Sequence, residues 1–173
     1  EELKGKTWIS SQPPLSVYYK KLALILNQTG NLIIWPKGFF SNMGSYQIGQ
    51  CSGNPKDKNN SGLFLIVCGK EKDYNKVLNP GDAAYKYLPK EAKVEYDGLL
   101  TTHHGANFED KNHPVPITNT GFRAVSCGVK NTYKHPRPES TKTYNSNGWG
   151  VKVLDTRKDN NISFSKKSTS NPH

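Results

Sequence analysis

The stretch Asp97-Gly-Leu-Leu-Thr-Thr-His103-His104-Gly105 decides how the chain is read. Leu99 and Leu100 belong to a short apolar run, and the run stops at two adjacent histidines and a glycine. That is the pattern of a strand that ends by presenting imidazoles to a loop. Upstream, residues 74–78 lead into Asn79-Pro80-Gly81-Asp82, a second strand that ends in a carboxylate. Functional side chains collect where strands hand over to loops, because the scaffold holds the backbone still there. All five histidines lie in this second half, among them His103, His104 and His135 beside glycine or proline turns.

Working outward, residues 61–68 (Ser-Gly-Leu-Phe-Leu-Ile-Val-Cys) read as the strongest strand. The run has no polar alternation, which predicts a strand covered on both faces and the most buried segment of the chain. A turn at 69–73 returns the chain as the hairpin partner 74–78. Further on, the pattern predicts a short helix over 83–88 ended by Pro89, a strand over 94–101, a polar loop over 108–119 and a strand over 123–127. A loop over 131–138, a helix over 139–147 stopped by Gly148, and a strand pair at 151–154 and 162–164 follow. Toward the N-terminus, 15–26 carries apolar residues at mixed spacing and admits a short helix or a strand. Residues 31–35 read as a buried strand closed by Pro36. Residues 39–60, rich in Gly, Asn, Ser and Lys, read as a long loop with one short strand near 46–48. Strands interleaved with a few helices give an α/β or α+β domain, a mixed sheet flanked by short helices. The chain divides into a lead-in at 1–30, a body at 31–165 and a frayed tail at 166–173.

A length of 173 residues makes one domain the default. The apolar fraction is 34%, low for a helical bundle. Net charge is +10, which favours an anionic partner such as nucleic acid or a phosphoester, against the plainer reading of a lysine-rich solvated surface. Three cysteines, Cys51, Cys68 and Cys127, have neither the parity of a disulfide framework nor the spacing of a zinc knuckle. Cys68 and Cys127 read as small core residues. No apolar run reaches the roughly 20 residues of a membrane span. The absence of a signal-peptide pattern points to the cytoplasm, although a chain that does not begin with Met also fits a trimmed product.

Each candidate residue has a plain structural role beside the chemical one. Asp82 in Pro-Gly-Asp suits a divalent cation, or caps the helix that starts at Ala83. His103 and His104, read on an extended strand end, point to opposite sides. One then faces a metal while the other packs behind it or hydrogen-bonds to it, and the plain alternative is polar surface. Asn131, Tyr133, His135 and Arg137 gather an amide, a phenol, an imidazole and a guanidinium in one segment. Such a set holds a phosphate or carboxylate through Arg137 and moves a proton through His135, or is a proline-punctuated connector with Pro138 opening a helix.

Taken in order, Asn59-Asn60-Ser61, Gly81-Asp82, Thr102-His103-His104-Gly105 and Asn131-x-Tyr133-x-His135-Pro136-x-Pro138-Glu139 form a series. The series resembles the C-terminal half of the metallo-β-lactamase fold, in the variety found in the DNA-internalisation competence protein and related hydrolases. Ile34-Trp35-Pro36 looks like that family's short motif ending in His-Pro, with Trp35 in place of the histidine. The resemblance covers residues 31–164 and implies half of a four-layer αββα sandwich. It implies that Asp82 and His104 bind metal, zinc first and manganese as the alternative. Asp82 and His135 are then the catalytic groups, and His103 is the neighbour that supports His104. Asn131, Tyr133 and Arg137 are then substrate-binding residues.

One departure is large. The family's HxHxDH metal motif lies upstream of everything matched here, and no histidine precedes His103. Asp82 and His104 alone are too few for the three or four protein ligands of a zinc site. The expectation is therefore a metal-dependent hydrolase of a phosphodiester or similar ester whose N-terminal half, carrying HxHxDH, is the missing partner, with this chain inactive alone. The alternative is a non-catalytic domain of the same fold that binds nucleic acid or a protein.

Overall fold

Hydrogen bonding divides the strands of the chain between two sheets. The computed structural model describes residues 7–10, 17–57, 59–69, 76–107, 113–118 and 121–159. A two-stranded parallel sheet pairs β1 (Trp8–Ser10) with β2 (Leu32–Ile34), and the helix α1 (Val17–Gln28) connects them. The larger sheet has seven strands in sequential order. These are β3 (Phe40–Asn42), β4 (Tyr46–Gln50), β5 (Leu63–Val67), β6 (Val77–Asn79), β7 (Gly98–Leu100), β8 (Phe122–Val125) and β9 (Lys152–Asp155). Strands β3 to β6 pair antiparallel, and β6 to β9 pair parallel. The chain is thus α/β with a mixed sheet and a few short helices: α1, α2 (Pro138–Tyr144) and α3 (Thr156–Asp159). No helix among the described residues is long and apolar enough to cross a membrane.

Strand β5 sits inside the sheet, but its two faces differ. Phe64 and Ile66 are buried, Leu63 and Leu65 are half-buried, and Val67 is exposed. The expectation of a strand covered on both faces is corrected: an apolar run marks an interior strand, and here only one face has a full layer over it. That layer is aromatic. Phe64, Ile66, Leu78 and Leu99 pack beneath Tyr85, Tyr96, Tyr144 and Trp149 in one cluster. The Tyr85 and Tyr144 hydroxyls hydrogen-bond at 2.8 Å, and the buried Arg123 guanidinium lies 4.9 Å from the Tyr144 ring centre. Cys51 is the fully buried thiol, pushed up to about 12 by burial, while Cys68 and Cys127 are only half-buried.

Other elements differ from the sequence reading for local reasons. Residues 39–60 contain the β3–β4 hairpin, whose turn uses Gly44 at φ 75°, with its N–H donating to Asn42 Oδ1. Side chains in this hairpin are mostly polar, so it carries little apolar signal. The segment 83–88 forms only a 3-10 turn at Tyr85–Tyr87, followed by another at Lys90–Ala92, because Pro89 breaks the run. Strand β7 is shorter than the run 94–101, and Asp97 just before it accepts from the Lys76 N–H through its carboxylate at 2.7 Å. The helix expected at 139–147 ends as α2 at Tyr144 and continues as a wide turn through Gly148, at φ 88°. In β2, Ile33 and Ile34 are half-exposed rather than buried. The turn at 69–73, the strand at 162–164 and the tail at 166–173 lie wholly or mostly outside the described residues.

Candidate functional site

Strands β6, β7 and β8 are parallel neighbours, so their C-terminal ends open on the same edge of the sheet. Loops at that edge are where open α/β sheets place their ligand sites. The first loop carries Asp82, the second His103 and His104, and the third Asn131, Tyr133, His135 and Arg137.

The loop after β6 turns on Asn79, whose Oδ1 accepts from the Gly81 N–H at 3.0 Å. The loop after β7 is tied to it around Asp82. Thr102 Oγ1 lies 3.2 Å from the Gly81 carbonyl oxygen and 2.7 Å from that of Ala83, and the His103 N–H donates to the Gly81 carbonyl at 3.0 Å. Asn60, at the entry to β5, accepts from the Ala84 N–H at 2.9 Å and fixes the far side of the same turn. Asp82 is thus a side chain on a turn braced at both ends.

His103 and His104 are not extended. Their φ values are 45° and 56°, and Gly105 follows at 84°. Two consecutive non-glycine residues in the left-handed region are costly and persist only when the surroundings hold them. The expectation that adjacent strand residues face apart is therefore replaced by a tight left-handed turn. Backbone hydrogen bonds restrain it: the Thr101 N–H donates to Ala124 O, the Ala106 N–H to His103 O, and the Arg137 N–H to Gly105 O at 2.8 Å. Only glycine fits at 105, where a Cβ would meet the Pro136 Cβ at 2.5 Å.

The turn aims His104 at Asp82. His104 Nε2 is 3.9 Å from Asp82 Oδ1. On the other side of the ring, Nδ1 lies 2.5 Å from the carbonyl oxygen of Ser126. A carbonyl only accepts, so Nδ1 carries the hydrogen, and in neutral imidazole the Nε2 lone pair faces the carboxylate. This is how metal-binding histidines are oriented by a backbone acceptor. Two N/O donors on one edge of a coordination sphere, each bound at about 2.0–2.2 Å, sit about 3.0–3.6 Å apart, so the pair at 3.9 Å must close by a few tenths of an ångström to share a divalent ion. It is only an edge: among the described residues, no group of three or more His, Cys, Asp or Glu is placed to hold a metal.

His103 faces the third loop, its ring 5.8 Å from that of His135. Asn131 holds His135 in place, accepting from the His135 N–H at 2.6 Å and donating Nδ2 to the carbonyls of His135 and Gly128. The Asn131 amide thus acts on the loop backbone. Tyr133 lies parallel to the His135 ring at 5.9 Å, and the Arg137 side chain is exposed on the rim. Partial burial pushes the His135 imidazole below its ordinary value, and His103, Arg137 and His104 push the same way while Asp82 opposes them. The neutral form of His135 is thereby favoured.

Three residues of the site were not singled out by the sequence reading. Thr102 and Ser126 act through a hydroxyl and a carbonyl, and neither leaves a mark in residue type. Asp57 caps the turn before β5: its hydrogen bond from Asn60, with the nearby His103, holds its carboxyl below the ordinary range. Asn59-Asn60-Ser61 was the only signal there. No family model matches the sequence, and comparison with curated proteins and with solved structures returns no match.

Proposed function

We propose that the chain is the C-terminal half of a metallo-β-lactamase-like sandwich and contributes part of a metal-dependent hydrolase site for a phosphodiester or similar ester. The observation that carries the reading is the Asp82–His104 pair at 3.9 Å, with His104 oriented by Ser126. Asp82 and His104 would hold zinc, or manganese in its place. A divalent ion supplies a hydroxide near neutral pH and charge stabilisation at the phosphoryl oxygen. The chain's own residues do the rest. His103 packs between the metal-facing turn and His135. His135, neutral and on the rim, accepts or returns a proton at the reacting group. Arg137 offers its exposed guanidinium to a phosphate oxygen, and Asn131 keeps His135 at that position. With Cys51, Cys68 and Cys127 all unpaired, we assign the protein to the cytoplasm.

The missing donors belong, in this reading, to an upstream half with HxHxDH, and the chain alone is weak in metal binding and inactive. A second reading, a non-catalytic domain of the same fold that binds nucleic acid or a protein, is favoured by the count of two donors. Metal content by elemental analysis, with hydrolysis of bis(p-nitrophenyl) phosphate, separates the two in this chain and in the longest product of its gene. The hydrolase reading expects metal and turnover to appear together in the longer product. His104→Ala should remove both, and His135→Ala should spare metal and lower turnover. Metal content unchanged by His104→Ala would end the reading. Stable folding with no metal and no turnover in the longer product would favour the second.

A further inference from the structure

The third loop carries a feature that the metal pair does not use. The Tyr133 ring is 72% exposed, yet it is not a loose surface side chain. It lies nearly parallel to the His135 ring, at 9° with the ring centres 5.9 Å apart, in an offset arrangement. His135 is in turn fixed by two hydrogen bonds with the Asn131 side chain, which is itself tied to the Gly128 carbonyl, and its loop is held by the Arg137 N–H to Gly105. Tyr133 is therefore an open ring set parallel to its neighbour, beside the candidate reacting centre. The same loop presents Lys130, Lys134 and Arg137, all exposed. Between 128 and 138 it holds no acidic residue.

We propose that Tyr133 is a stacking platform for an unpaired nucleobase next to the scissile phosphodiester, with Lys130, Lys134 and Arg137 meeting the flanking phosphates, so that the site takes single-stranded nucleic acid. This deepens the hydrolase reading and rests on it for the word scissile; the binding itself does not need metal. An aromatic face with cations around it is the arrangement that holds single strands, because every base has a π-face and every nucleotide a phosphate. A paired base in a duplex has both faces covered by its neighbours, and an open tyrosine ring gains nothing from it. The cations alone give affinity that falls with salt and does not depend on bases. The ring is what adds the demand for an unpaired base.

The test is fluorescence anisotropy of this chain in metal-free buffer with three probes of equal length: an oligothymidylate, the same backbone with abasic sites, and a duplex. The wild-type chain should bind the oligothymidylate most tightly. Tyr133→Leu should weaken that binding roughly 5- to 100-fold and leave the abasic probe unchanged. Tyr133→Trp should restore it. Lys134→Ala should weaken all three probes alike and flatten the salt dependence. Equal loss on base-bearing and abasic strands in Tyr133→Leu would overturn the proposal, as would duplex binding as tight as that of the single strand. Absence of binding to every probe would also overturn it. Failure of the hydrolase reading shows separately, as absent turnover in the longer product while base-dependent binding persists.

Discussion

The edge where β6, β7 and β8 end and the unit made of β1, α1 and β2 are built on opposite terms. At the edge, the loops are tied to one another by backbone and side-chain hydrogen bonds, and the sheet below rests on a continuous aromatic core. In the N-terminal unit, α1 buries Ala23 and Leu26 on one side while Val17, Tyr18, Leu24 and Ile25 stand exposed on the other. Ile33 and Ile34 of β2 are half-exposed as well, in a parallel pair of only two strands. Parallel strands are ordinarily buried on both faces, and a pair alone is marginal. The difference teaches where this chain has enough partners of its own: the edge with the histidines does, and the N-terminal unit does not.

The largest effect that sharpens the contrast comes from the core under the edge. Phe64 is buried, stacks on Phe40 at 5.9 Å, and fills the space above Gly49, which lacks a side chain there. Phe64→Ala should cost about 3–5 kcal/mol through the cavity it leaves. Ile25→Ala, on the exposed side of α1, should stay within about 0.5 kcal/mol. Urea titrations of both variants check the pair. A loss below about 1 kcal/mol for Phe64→Ala would place β5 at a surface and erase the distinction.

A smaller effect tests the lacing itself. The Thr102 hydroxyl is buried between the Gly81 and Ala83 carbonyls, on either side of Asp82. Thr102→Val keeps the shape and removes the hydroxyl, so the two carbonyls lose a donor, at about 1–3 kcal/mol. Thr102→Ser keeps the donor and should recover most of that. If valine costs no more than serine, the hydroxyl does not hold the two loops together.

Much of this contrast was legible in the residues, and the illegible part has a physical pattern. Strand β5 and the existence of β6 and β7 followed from apolar runs and their spacing; the parallel pairing of β6 with β7 did not. The runs also showed two strands that each end in a ligand-type side chain, while the meeting of Asp82 and His104 was an expectation of the resemblance alone. The coverage of β5 was not legible, since an apolar run does not tell whether a second layer lies over its outer face. The strand read near 46–48 is the core of β4, but its hairpin partner β3 was hidden because the pairing uses backbone groups, which residue type does not report. The left-handed turn at His103 and His104 was hidden for a related reason. Nothing in two histidines forces φ to be positive; Thr102 in the same loop, and Ser126 and Arg137 from the loop after β8, hold them there.

The smallest effect concerns protons. His135 has its affinity for a proton lowered from the ordinary 6.5, first by partial burial and then by His103, Arg137 and His104, with Asp82 acting the other way. As pH falls through 6.5, the unfolded chain takes up this proton before the folded chain does. The unfolded state then binds more protons, so stability rises with pH in that window. The contribution is fully present above 6.5 and is lost as pH falls through the lowered folded value. His135→Asn removes the titration while keeping a side chain of similar reach, and the backbone N–H to Asn131 remains. Urea midpoints measured from neutral pH downward should therefore fall less steeply for His135→Asn than for the wild-type chain. The two curves should run parallel above 6.5, where both side chains are neutral. Parallel curves below 6.5 as well would mean that the imidazole is as easily protonated folded as unfolded, and that the third loop is as open to water as the exposed side of α1.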